Sequence, residues 1–183
     1  MIVVDVNVLA YLLIHGKFTE AAEQLLAEDS AWAVPRLWRS ELRNILATYL
    51  HVNQMDLADA ALIFQRATEL VGAEEYEMET ADVLRLSKES KCSAYDCEYV
   101  ALAEFLDLVL VTAGGKLAKA FPLRTRLLAD EYRSRSAADR LRSTYCNRLL
   151  YFCANRLFTN ARRTLTRADA QPPMSHRPFA SKM

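Results

Sequence analysis

Three carboxylates stand where this sequence could do chemistry. Asp5 closes the apolar run Ile2-Val3-Val4, Glu41 lies at helical spacing from Leu37, Trp38, Asn44 and Ile45, and Asp96 follows Ser93-Ala94-Tyr95. Each also has a structural role open to it. Asp and Asn are good helix N-caps, so either Asp5 or Asn7 can open the helix that follows, with Asn7 the better placed because it sits closer to the expected helix start at Val8. Glu41 borders an apolar stripe and can serve as an edge-of-core acid paired to a distant base. Ser93 to Asp96 has the form of a capping box, and the partial positive charge of a helix start favours an anion there. If the three acids converge, however, they repel. Two unit charges about 5 Å apart at an effective dielectric near 20 cost roughly 3 kcal/mol per pair. Such a group needs protonation or a cation, and a hard divalent ion that prefers oxygen ligands, Mg²⁺ or Mn²⁺, meets the need. Beside a phosphodiester it would acidify a water and neutralise charge developing on phosphate oxygens.

Other chemistries are excluded residue by residue. His15, His51 and His176 are scattered, and the pairs Cys92/Cys97 and Cys146/Cys153 lack zinc-finger spacing and partners. There is no phosphate-cradling glycine loop and no G-x-S-x-G, and Asn7 stands where an aspartyl-phosphatase pattern needs its second acid. The four cysteines read as free thiols.

The elements that must position these acids follow from periodicity. Ile2–Val4, Ala31–Val34 and Leu108–Val111 are short apolar runs that read as fully buried strands. Tyr76 and Met78, alternating with Glu75, Glu77 and Glu79, predict a half-exposed strand, and Leu123–Leu128 predicts another at the end. Helical stripes cover Val8–Ile14, Phe18–Glu28, Leu37–His51, Asp56–Val71, Thr80–Glu89 and Ala94–Leu106, with a helical turn at Lys116–Ala120 after the Gly114-Gly115 turn. Strands alternating with helices require crossover connections. The expected fold class is therefore α/β, a three-layer sandwich with a mostly parallel sheet covered on both faces. Ligands in such folds bind outside the carboxyl ends of the strands.

Composition sets the outer bounds. The chain has 183 residues, is 52% hydrophobic and carries 4 Gly, which excludes collagen and low-complexity sequence. Its longest apolar stretch, Val8 to Ile14, is far short of a membrane span of about 20 residues, so a soluble chain with no membrane association is expected. No basic residue precedes the first apolar run and Asp5 interrupts it; the expected compartment is the cytoplasm. The zero net charge hides an asymmetry. Residues 1–123 carry 10 Lys+Arg against 19 Asp+Glu, while residues 124–183 carry 13 against 4, with 12 of those 13 being Arg. Two segments are expected: an acidic domain at 1–128 and an Arg-rich tail at 129–183, partly helical or disordered.

The segments Ile2-Val3-Val4-Asp5-Val6-Asn7-Val8-Leu9, Pro35 to Glu41-Leu42 with Asn44, Ser93-Ala94-Tyr95-Asp96-Cys97-Glu98-Tyr99-Val100-Ala101-Leu102-Ala103, and Leu110-Val111-Thr112 with Lys116-Leu117 carry a resemblance. In this order they resemble the PIN-domain nucleases, and most closely the VapC-type toxins of bacterial toxin–antitoxin pairs, over roughly residues 1–123. The resemblance implies a metal-dependent endoribonuclease that hydrolyses RNA internally. It implies Asp5 and Asp96 as ligands of Mg²⁺ or Mn²⁺, Glu41 contributing directly or through water, and Asn7 and Thr112 as supporting groups. It also implies a cognate antitoxin that blocks the cleft, and a homodimer. One position departs from the pattern: the family places a further Asp two residues after the Thr of strand four, and here that residue is Gly114. Loss of that charge argues against a two-metal clamp and for a one-metal hydrolase. The alternative is a degenerate, non-catalytic PIN-like domain that binds RNA or a partner protein. The tail matches nothing in the family. It reads as an extension acquired late or by frameshift, or as an RNA-binding arm whose contribution would be salt-sensitive.

Overall fold

A computed structural model describes residues 1–128; the Arg-rich tail expected at 129–183, with Cys146 and Cys153, lies outside the described residues. The elements run β1 (Ile2–Val4), α1 (Val6–Leu13), α2 (Thr19–Glu28), β2 (Trp32–Pro35), α3 (Trp38–His51), α4 (Leu57–Val71), β3 (Glu75–Tyr76), α5 (Thr80–Ser90), α6 (Ala94–Phe105), β4 (Leu110–Thr112), α7 (Gly115–Ala120) and β5 (Thr125–Leu127). The five strands form one sheet in the order β3-β2-β1-β4-β5, and every neighbouring pair is parallel. The mostly parallel sheet expected from sequence is thus parallel throughout.

The central strand is β1, registered Val3 to Ala33 on one side and Val3 to Leu110 on the other. Ile2, Val3 and Val4 are all buried, as are all residues of β2 and β4. Burial on both faces explains why these strands read as unbroken apolar runs instead of alternating. Helix α6 packs on β1, β2 and β4 and carries α5 on its other side, while α1 packs with α2, α3 and α4 as a second group. The sheet flanked by these helices is the expected three-layer α/β sandwich. Cys92 and Cys97 are buried free thiols, as anticipated.

The ends of β2, β4 and β5 differ from the sequence reading. Pro35 does not stop β2 but ends it. Val34 N–H donates to the Glu74 carbonyl and Arg36 N–H to the Tyr76 carbonyl, so the residue without an N–H falls between the two donors facing β3. Strand β4 starts later than Leu108, because the chain turns through Asp107 in the left-handed region (φ 53°) and Leu108 N–H donates to the Ala103 carbonyl. It also runs one residue further, to Thr112, which registers with Leu127 of β5. In β5 the strand shrinks to Thr125–Leu127, leaving Leu123 fully exposed. The short β3 is anchored by charge: Glu75 accepts from Trp38 Nε1 at 3.0 Å and from Arg39 Nε at 2.6 Å.

Because α6 joins the sheet to α5, its buried face should dominate stability. Leu102→Ala, at a fully buried α6 position, is expected to lower the unfolding free energy by about 2–5 kcal/mol, read from urea denaturation of the parent and the variant.

Candidate active site

Asp5 stands at the carboxyl end of the central strand, in extended backbone (φ −78°, ψ 163°), and caps α1. Its Oδ1 accepts Val8 N–H at 3.0 Å, and its Oδ2 accepts Ala113 N–H at 3.1 Å as well as the Thr112 hydroxyl. Thr112 Oγ1 in turn accepts Gly114 N–H at 2.9 Å. The side chain is almost wholly buried, and burial pushes its carboxyl above the usual range, with these donors working in the opposite sense. The cap expected at Asn7 is formed by Asp5, because the helix starts at Val6, two residues earlier than its apolar run suggests. Asn7 instead lies exposed in the first turn of α1 and lines a cleft.

Glu41 comes from α3, in the helix's first turn, and lines the same cleft. Its Oε2 accepts the hydroxyl of Tyr99 at 2.5 Å, from a buried ring on α6. Burial raises the Glu41 carboxyl, the Tyr99 bond lowers it, and the neighbouring charges of Asp5, Asp96 and Glu98 raise it further. Asp96 lies in the first turn of α6, where Ser93 caps the helix. Ser93 Oγ accepts Asp96 N–H at 3.1 Å, which is the first half of the expected capping box, and donates to Asp96 Oδ2 at 2.7 Å, so the acid is held by the hydroxyl and not by the Ser93 backbone N–H.

The structure therefore brings Asp5 and Asp96 within electrostatic reach of Glu41, with Asn7 lining the same cleft as Glu41 and Thr112 bonded to Asp5. It does not draw the acids into contact: among the described residues no group of three His, Cys, Asp or Glu side chains is close enough to hold a metal ion. Each acid is satisfied by a protein donor instead, and no buried side-chain polar atom among the described residues lacks a partner. The chemistry of the donor set nonetheless suits a hard cation, being all oxygen, and like-charge crowding at Glu41 is the strain that a cation relieves.

Sequence reasoning missed Tyr99 as a member of this site. The available signal was its spacing: it stands three residues after Asp96 and so shares a helix face with it. The tyrosine is pushed far above its ordinary range, by burial first and then by the Glu41 carboxylate, so its proton stays on the hydroxyl and is donated to Glu41.

A family model described as PIN domain matches residues 2–121. Among solved structures, the chain is similar to PAE2754 from Pyrobaculum aerophilum, at 21% identity over 78% of this chain and 96% of that one, with a TM-score of 0.56. It is similar to FitAcB from Neisseria gonorrhoeae at 16% identity over 68% and 96%, TM-score 0.56. A toxin–antitoxin complex from Klebsiella pneumoniae gives 18% identity over 70% and 98%, TM-score 0.51. At such identities the likeness is one of fold. No curated protein matches the sequence.

Two stability measurements probe the site. In metal-free buffer, Asp5 and Glu41 have folded-state values above their unfolded ones, so the native state retains protons that the unfolded chain has released. The contribution of these two groups to stability is therefore fully present below the ordinary carboxyl range and is lost as pH rises through the raised values, opposite in sign to that of Asp29 and Glu75, whose carboxyls are lowered. Asp5→Asn should remove the Asp5 part of that loss in thermal melts across pH. Thr112→Val removes a donor to Asp5 and the acceptor of Gly114 N–H. It should lower the unfolding free energy by about 1–3 kcal/mol in urea titrations.

Proposed function

This chain belongs to the PIN-domain family, and from that membership we propose that it is a metal-dependent endoribonuclease, the toxin of a toxin–antitoxin pair. The observation that carries the reading is the shared field of three acids from distant parts of the chain: Glu41 is raised by Asp5 and by Asp96. In this reading Asp5 and Asp96 hold Mg²⁺ or Mn²⁺, and Glu41 contributes directly or through a water. When bound, the ion supplies an acidified water and offsets charge developing on the phosphate oxygens. The protein's own part is orientation. Thr112 and Ala113 N–H fix one oxygen of Asp5 and Val8 N–H fixes the other. Glu41 and Asp96, both partly exposed, are each held by one hydroxyl, of Tyr99 and Ser93. Asn7 stands at the cleft rim as a neutral hydrogen-bonding group.

The partners follow the same reading. The similar structure from Klebsiella pneumoniae is a toxin–antitoxin complex, which supports a cognate antitoxin for this chain, placed over the cleft in this reading; another similar structure is of FitAB bound to a DNA fragment. A homodimer and an RNA substrate in the cytoplasm complete the proposal. Among the described residues no helix is long and apolar enough to cross a membrane. Residues 1–128 form the nuclease domain in this reading, and 129–183 an Arg-rich appendage.

Gly114 favours a second reading, a PIN-like domain that binds RNA or a partner protein without cleaving. The residue has an ordinary backbone (φ −82°), and a Cβ there would meet Thr112 Oγ1 at 3.3 Å and Leu117 Cβ at 3.7 Å. An aspartate can thus be introduced with only a small shift of its neighbours. RNA cleavage titrated with Mg²⁺ and Mn²⁺ separates the readings. The full chain and residues 1–128 should both cleave, and Asp5→Asn or Asp96→Asn should lower the rate by at least about 100-fold, since even an outer partner of a metal ligand is worth 10- to 100-fold. An inert parent made active by Gly114→Asp would establish the non-catalytic reading.

A further inference from the structure

The cleft beside the acids is larger than the acids require. It measures about 530 Å³, inside the range of roughly 300–1,000 Å³ for small-molecule sites. Three elements enclose it. Helix α1 contributes Asn7, α3 contributes Ser40, Glu41 and Asn44, and α6 contributes Tyr95. Leu37 and Ile45 supply apolar wall. Trp32, Trp38 and Tyr99 are buried, whereas Tyr95 is 63% exposed and lines this cleft.

We propose that the cleft is a subsite for one unpaired nucleobase of an RNA strand, stacked on Tyr95 and hydrogen-bonded at its edge by Asn7, Ser40 and Asn44. The inference rests on the nuclease reading, which is what brings RNA to this end of the sheet. Four physical points select this occupant. A base is flat, and aromatic side chains hold single-stranded bases by stacking whatever their sequence. Its edge carries donors and acceptors together, and the two asparagine amides offer both. It is neutral, so it escapes the repulsion that a phosphate would meet from Glu41, whose surroundings already include Asp5, Asp96 and Glu98. Finally, a cationic peptide side chain, the other group drawn to an acidic wall, is poorly served. A guanidinium pairs best with both oxygens of a carboxylate, and Glu41 Oε2 already accepts from Tyr99. The chain places the subsite next to the acids: Tyr95 precedes Asp96, Asn7 follows Asp5 by two residues, and Glu41 is part of the wall.

The test is binding by the full chain in EDTA, so that no cleavage occurs. One probe is a short fluorescent single-stranded oligoribonucleotide; the other is a ribose-phosphate strand of equal length without bases. Phosphate contacts are common to both and cancel in the ratio of affinities. The parent should prefer the base-bearing strand, Tyr95→Ala should reduce that preference about 5- to 100-fold, and Tyr95→Phe should keep it. Equal preference in the parent and Tyr95→Ala overturns the subsite, as does a loss in Tyr95→Phe matching that in Tyr95→Ala. Binding of a polyarginine peptide that depends on Tyr95 while the RNA preference does not would also overturn it, and would assign the cleft to a protein partner. Because the readout needs no metal, an inert parent with intact preference sinks only the nuclease reading, and an unchanged preference sinks only the subsite.

Discussion

The Asp5 carboxylate is the point on which this structure turns. One buried acid caps α1 through Val8 N–H and binds the end of β4 through Thr112 and Ala113, while its own N–H donates to the Val111 carbonyl. A buried carboxylate is unfavourable unless its oxygens are matched by donors, and here three donors from two elements converge on it. Since β1 is the middle strand of five, whatever is tied to Asp5 is tied to the centre of the sheet. The start of α1, the end of β4 and the turn at Gly114 therefore share one rigid frame.

Onto that frame α3 and α6 bring Glu41 and Asp96. Their approach is destabilising in itself: burial and like charge both raise the Glu41 carboxyl. A fold selected for stability alone would place a Lys or Arg among these groups, or an apolar side chain. Here the compensating groups are hydroxyls, Tyr99 on Glu41 and Ser93 on Asp96. Neutral donors hold a carboxylate in place without cancelling its charge, which keeps the set electrostatically attractive to a cation. Tyr99 also links the two helices across the site, so the position of Glu41 depends on the packing of α6.

Much of this was legible in the chain. The apolar runs of β1, β2 and β4 announce themselves because a parallel strand buried on both faces has no polar positions to interrupt it. Helices α3 and α4 follow from their periodic faces, whereas α6 is buried at consecutive positions from Tyr99 to Ala103 and reads as helix by its length and composition. Asp5, Glu41 and Asp96 stand out as carboxylates at the borders of apolar elements. What local pattern could not decide was ownership of each hydrogen bond. Asp5 and Asn7 are equally good caps by residue type, and only the path of the backbone after Val4 gives the role to Asp5. Thr112 falls one residue past the run that reads as strand, and it belongs to β4 because β5 pairs with it. The spacing of Tyr99 from Asp96 puts the two on one helix face, but nothing local tells that a carboxylate 58 positions earlier accepts its hydrogen bond.

By itself, then, the sequence determined the class of fold and the order of its elements and singled out three carboxylates as candidates, because hydrophobic periodicity and residue type act over short stretches of chain. Tertiary structure alone decided that α1, α3 and α6 open a common cleft with Tyr95 at its edge, and that each acid is satisfied by a protein donor instead of touching the others. Those are properties of distance between groups far apart in the chain. They depend on crossover paths and helix packing, which no local pattern of residues encodes.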